Sequence, residues 1–181
     1  MHSFLKNSVF SISFGTSLSK LAGCIRQIFI AAAFGVGITY DAFNYAYIIP
    51  GFLLIIIGGI NGPLHNAIVA VLTPLNKKKG GIVLTQVSIK LSILLFFFAL
   101  LIYFNSSLLI DLLAPNLSNE AKSIATYQLR ILTSCIPLSG FIGLSFGALN
   151  SRRKFFLSSV SPAITSVTTI FFILFSWIFN Q

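Results

Sequence analysis

Three cations, Lys20, Arg26 and Lys90, stand inside apolar stretches long enough to cross a lipid bilayer. A charge at mid-bilayer costs about 2.5–3.5 kcal/mol on insertion scales, so such residues usually face a wet cavity or a partner and mark a transport path. Lys20 and Arg26 are six residues apart in one stretch. At about 100° and 1.5 Å per residue, they point roughly 120° apart and lie roughly 9 Å apart along a helix axis. Both can line one broad cavity, and a cationic cavity in a membrane suits an anionic substrate.

The surrounding composition supports a membrane assignment. Hydrophobic residues make up 56% of the 181 and charged residues only 8%, against about 25% charged in an ordinary soluble domain. A bilayer core of about 30 Å leaves room for about five helices of 20–25 residues. The expected fold is an all-α, polytopic transmembrane helix bundle forming a single domain over residues 1–181. The net charge of +9 does not point to nucleic acid, because the cations occupy short loops and isolated membrane positions rather than one basic face. Cys24 and Cys135 lie in apolar segments without CxxC spacing and are expected to be buried free thiols.

The expected spans are residues 9–34, 42–75, 82–104, 122–149 and 155–179. The first is not a signal peptide, since Lys20 and Arg26 interrupt its apolar run. It should end at Gly35-Val36-Gly37, with Thr39-Tyr40-Asp41 starting the next helix. The second would be about 51 Å long if continuous, so a break is expected at Gly58-Gly59-Ile60-Asn61-Gly62-Pro63, facing the bundle interior. Asn76 to Gly81 reads as a tight basic loop, and residues 108–113 as an interfacial segment. Pro137 falls mid-span in the fourth segment. Ser161-Pro162 should kink the fifth, which places Trp177 at an interface.

Lys77, Lys78, Lys79, Arg152, Arg153 and Lys154 occupy alternate connections, with Lys6 ahead of the first span, while Asp41, Asp111 and Glu120 occupy the others. The positive-inside rule then places the amino terminus and the basic loops in the cytoplasm. Lys90 should snorkel toward cytoplasmic headgroups, Arg130 should be structural, and His65 should be a satisfied polar group. Asp41 reads equally as a helix cap and as a partner for a cavity cation. Gly58/Gly62 and Gly143/Gly147 fit the small-xxx-small spacing of closely approaching helices.

No nucleophile triad, HExxH, paired-carboxylate site, Walker loop or dinucleotide fingerprint occurs, so no enzyme, cofactor or metal is expected. Beside transport of an anionic substrate, a drug/cation antiporter and a non-transporting membrane scaffold remain as readings.

The order of residues carries more. Ser19-Lys20-Leu21-Ala22-Gly23-Cys24-Ile25-Arg26-Gln27, then Phe34-Gly35 and Asp41-Ala42-Phe43, resembles the opening of the MurJ/MviN family of lipid II flippases. The resemblance continues through Ile49-Pro50, Val71-Leu72-Thr73-Pro74, Ala114-Pro115 and Gly147-Ala148-Leu149-Asn150. It implies part of the first lobe of a two-lobed transporter with about fourteen helices, in the bacterial inner membrane. Its substrate would be lipid II, moved from the cytoplasmic to the periplasmic leaflet for cell-wall synthesis and cell shape, with a related flippase for another polyprenyl-diphosphate sugar as the alternative. It also implies substrate contacts at Lys20, Arg26 and Asp41. Lys20 keeps the charge of a family arginine without its bidentate fork, Gln27 stands where the family commonly has an acid, and Gly51-Phe52-Leu53-Leu54-Ile55 lacks a cation the family carries there. Against that architecture the chain is expected to be an amino-terminal portion that does not flip lipid II alone. Membrane lipids and a separately encoded lobe are its expected partners.

Overall fold

The computed structural model describes residues 2–35, 37–59 and 62–179, with side chains from residue 10 onward except residue 11. Expectations that rest on the Lys6 side chain, Val36, Ile60 or Asn61 lie outside the described residues. The described residues contain helices and no strand: α1 (His2–Phe34), α2 (Ile38–Ile56), α3 (Pro63–Leu72), α4 (Lys77–Phe104), α5 (Ser106–Leu113), α6 (Asn119–Leu132), α7 (Cys135–Ser151) and α8 (Phe155–Phe179). Residues 12–34, α4 and α8 are each long and apolar enough to cross a membrane, and α6 with α7 makes a fourth such span if the bent pair is counted as one. The chain is therefore an all-α membrane protein. The helices gather into two compact units, residues 1–36 with 153–181 and residues 37–152.

The first unit is the pair α1 and α8. Gly15 meets Ser159 so closely that a Cβ on the glycine would lie 2.8 Å from the serine Cβ. One turn on, Ser19 Oγ donates to the Ser159 carbonyl at 2.6 Å. Without a hydrophobic drive between helices in lipid, such contacts of small residues and the added hydrogen bond are what hold the pair. α1 ends at Gly35, whose φ of +59° is the left-handed C-cap conformation that glycine adopts without strain. Its N–H reaches back to the Ala31 carbonyl. α8 spans the expected residues and stays one helix through Pro162.

In the second unit the long apolar run 42–75 is divided, as its glycines and Pro63 implied. α2 stops at Ile56 and α3 starts with Pro63 at its first turn, where a missing N–H costs nothing. The break packs on α7: a Cβ on Gly143 would collide with the Ile57 carbonyl oxygen, and one on Gly58 would lie 3.1 Å from that of Ser139. Glycine at 143 lets the backbone of the break lie directly on α7, so a freed carbonyl is sheltered by protein rather than lipid.

Three expectations need correction. Lys77–Lys79 are not loop but the first turn of α4, whose N-cap Asn76 accepts from the Lys79 N–H at 2.9 Å. Residues 122–149 are not one straight span. α6 and α7 meet at a 42° bend around Thr133 and Ser134, one turn before Pro137. A proline ring clashes with the carbonyl four residues earlier, which here is Thr133; Ile136 N–H takes that carbonyl instead at 3.0 Å, and Ser134 N–H bonds Ile131 at 3.2 Å. Cys24 and Cys135 are exposed rather than buried, though both are free.

The core of this unit joins Ala42 and Ala46 of α2 to Ala125 and Leu129 of α6, with Leu95, Ala99 and Ile102 of α4 beside them. Alanines four apart on both α2 and α6 let these helices approach closely. A second cluster joins Ile68 and Leu72 of α3 to Leu144 of α7.

Candidate functional site

Lys20 and Arg26 lie on one uninterrupted helix, so their spacing is the helical one expected from the sequence. The structure separates their surroundings. Ser19, which bonds Ser159, and Arg26 are seven residues apart and so share one side of α1 to within about 20°. Arg26 continues the line of Gly15 and Ser19 that touches α8. It is half-buried, and its Nε is shielded from solvent with no hydrogen-bond partner. Lys20 is turned about 100° from Ser19 and is exposed.

A shielded guanidinium N–H without an acceptor is rare, because it forgoes both water and protein hydrogen bonds. The unit holding Arg26 contains no carboxylate at all: Asp41, Asp111 and Glu120, the only acids of the chain, all belong to the second unit. Two cations on one helix, in a unit without Asp or Glu, can attract an anion, with arginine offering a planar fork and lysine a mobile point charge.

Asp41 lies in the first turn of α2 and is exposed. The helix starts earlier than the sequence suggested: Gly37 is the N-cap and no side chain caps the helix. The capping role considered for Asp41 is therefore not what it does, although its charge still favours the positive end of the helix. Among the described residues Asp41 has no ion-pair partner.

Other polar residues of the second unit are spoken for. Arg130 Nε donates to the fully buried Ser106 Oγ at 2.9 Å and its guanidinium sits 5.7 Å from the Tyr103 ring, which ties α6 to the α4–α5 corner. Lys122 pairs with Asp111 at 2.9 Å. At the opposite end, Arg152 Nη1 donates to the Leu75 carbonyl at 3.1 Å, so the two basic connections meet. Buried His65 lies with Nε2 2.8 Å from Asn150 Nδ2 and Nδ1 3.2 Å from Asn66 Oδ1. The sequence singled out His65 by itself and Asn150 only as the end of the Gly147-Ala148-Leu149-Asn150 stretch, with nothing to say that the two meet.

The family model described as lipid II flippase MurJ matches residues 30–179, a span that begins beyond Lys20 and Arg26. A probable lipid II flippase MurJ of Synechocystis sp. is 40% identical over 166 residues, covering 92% of this chain and 31% of that protein. The lipid II flippase MurJ of Thermosipho africanus is 29% identical over 158 residues, 87% of this chain and 33% of its own length. A probable lipid II flippase MurJ of Buchnera aphidicola is 30% identical over 177 residues, 94% of this chain and 34% of its own. No solved structure matches the chain significantly. The chain spans about a third of the length of the curated relatives it matches. With a family model covering most of its residues, the chain belongs to the MurJ family of lipid II flippases.

Proposed function

We propose that these residues form the amino-terminal part of a transporter lobe that carries lipid II, a peptidoglycan precursor on undecaprenyl diphosphate, from the cytoplasmic to the periplasmic leaflet of a bacterial inner membrane. The observation that carries this reading is Arg26, a half-buried membrane cation whose Nε lacks a partner in a unit without acids. A diphosphate headgroup supplies the missing acceptor and charge, and Lys20 adds a second cation on the same helix. Asp41, the acid in the first turn of α2 in the second unit, enters this reading as a substrate contact through the family resemblance alone.

The transport is carrier-like rather than catalytic, and the amino terminus and both basic connections are cytoplasmic. Support for that orientation comes from the meeting of Arg152 with Leu75, which gathers Lys77, Lys78, Lys79 and Arg152 at one end of the second unit. Alternating access rocks two lobes about a site between them. Translocation therefore needs helices beyond these 181 residues, on the same or a separate polypeptide.

The test is a chimera in which residues 1–181 replace the corresponding third of a full-length relative. Arg26→Ala should lower lipid II translocation about tenfold or more, the scale of one lost charge-assisted contact, at unchanged membrane level. Undiminished translocation overturns the reading.

A further inference from the structure

His65 is 4% exposed and is the one ionisable side chain of α3, two residues after Pro63 opens the helix. Its ring is engaged on both sides. Nε2 lies 2.8 Å from Asn150 Nδ2 on α7, and Nδ1 lies 3.2 Å from Asn66 Oδ1 on its own helix. An amide nitrogen donates and an amide oxygen accepts, so the two contacts together select the neutral ring with its proton on Nδ1. That ring accepts across the α3–α7 interface and donates within α3.

The helices around the ring offer nothing to receive a positive charge. α3, α4 and α7 contain no Asp or Glu. The ionisable groups of α7 are Cys135, in its first turn, and the C-cap Arg152, whose Nη1 is turned to the Leu75 carbonyl. α4, whose Val83, Val87 and Leu91 pack on the cluster of Ile68, Leu72 and Leu144, carries Lys77, Lys78, Lys79, Lys90 and Tyr103. The chain after α2 meets α7 at Ile57 and Gly58, whereas Tyr40, Asp41, Tyr45 and Tyr47 all precede Pro50. The first turn of α3 adds the positive end of that helix.

We infer that the His65–Asn150 contact is a proton-operated latch between α3 and α7, closed on the neutral ring and released when the ring is protonated. Protonation turns Nε2 from acceptor into donor, so two N–H groups confront each other where one hydrogen bond stood. A buried donor is then left without an acceptor. Histidine is the side chain whose charge ordinarily changes between about pH 5 and 8. What the latch releases is a helix of 10 residues that α2 does not continue into. Its remaining hold on α7 is the packing of Leu64 on Gly143 and of Ile68 on Gly147. The latch goes beyond the carriage of lipid II, because it opens and closes whether or not a substrate is present.

The experiment is hydrogen–deuterium exchange mass spectrometry of the purified 181-residue chain in detergent at about pH 8 and about pH 5.5, limits that bracket histidine titration, with rates corrected for intrinsic exchange. Amides 67–72 of α3 should exchange about tenfold faster at the lower pH, the scale of one lost hydrogen bond, while amides 94–102 of α4 should not respond. His65→Gln keeps an acceptor for Asn150 that takes no proton, and should abolish the response. Asn150→Asp sets a carboxylate opposite the ring and should abolish or reverse it, because the protonated Nε2 then has an acceptor. His2→Gln, which removes the other histidine of the chain, should leave the response as in the wild type. Circular dichroism on each variant separates a lost latch from lost folding. Equal exchange of α3 at both pH values in the wild type overturns the proposal, as does a response that survives in His65→Gln or in Asn150→Asp. No lipid II is present, so failure here leaves the flippase reading standing, and the reverse also holds.

Discussion

Asn150 Nδ2 lies 2.8 Å from His65 Nε2 and joins the last turn of α7 to the first turn of α3. An amide nitrogen only donates, so the ring accepts at Nε2 and presents Nδ1 to Asn66 Oδ1 at 3.2 Å. His65 is buried and Asn150 half-buried beside Gly147, whose Cβ position would collide with Ile68. Short α3, cut off from α2 by the break, is thus packed on α7 through this polar contact and the glycines at 143 and 147.

That contact should be measurable as a coupling. His65→Ala and Asn150→Ala should each destabilise the protein by about 1–2 kcal/mol in thermal unfolding in detergent, and the double variant should lose less than their sum by about 0.5–1.5 kcal/mol. Additive losses would mean that the two residues act apart.

The glycines divide into those that pack and those that do not. Gly143→Ala would push a methyl into the Ile57 carbonyl, a backbone atom that cannot turn aside. It should cost at least about 2–3 kcal/mol or abolish accumulation. Gly23→Ala meets nothing within 4 Å and should be neutral or stabilising by up to about 1 kcal/mol through helix propensity. Equal thermal stability of the two variants would contradict the packing described.

Lys20 and Arg26 should differ in their chemical tolerance. In the chimeric transporter Lys20→Arg should keep translocation within about threefold, since an exposed point charge is replaced by another cation. Lys20→Gln should reduce it, and Arg26→Lys should lose more than Lys20→Arg gains or loses, because the guanidinium Nε is shielded from solvent. Equivalent behaviour of Arg26→Lys and Lys20→Arg in a lipid II translocation assay would argue against distinct roles.

Orientation is checked with single cysteines in a background lacking Cys24 and Cys135. Asn76 caps α4, so the cytoplasmic probe belongs at exposed Lys78 and the periplasmic probe at exposed Asn116. An impermeant thiol reagent applied to intact cells should label Asn116→Cys and spare Lys78→Cys; the opposite pattern would invert the topology.

Local chemistry made much of the fold legible. The fifth span matched residues 155–179 because an uninterrupted apolar run follows a basic connection, and the α2–α3 break was announced by four glycine and proline positions between 58 and 63. The start of α4 was missed because three lysines read as loop, although Asn76 three residues before Lys79 is a helix-start signal. The bend before Pro137 falls at Thr133 because a proline acts on the carbonyl four residues back, not on its own position. For the site, the sequence placed both cations of α1 at membrane depth. It did not tell that Arg26 follows the α8-facing line, since that depends on Ser19 meeting Ser159, 140 residues away.

The joint between α6 and α7 has a mechanical consequence. Its backbone is bent but not unbonded: Thr133, Ser134 and Ile136 all donate, to Leu129, Ile131 and Thr133, and Thr133 Oγ1 adds a bond to the Arg130 carbonyl at 2.6 Å. Two of these backbone bonds span three residues rather than four, so changing the angle exchanges neighbouring acceptors instead of breaking donors loose. A joint built this way can flex while these three amides keep acceptors. Its signature would be amide hydrogen exchange at Thr133, Ser134 and Ile136 as slow as in the straight turns on either side.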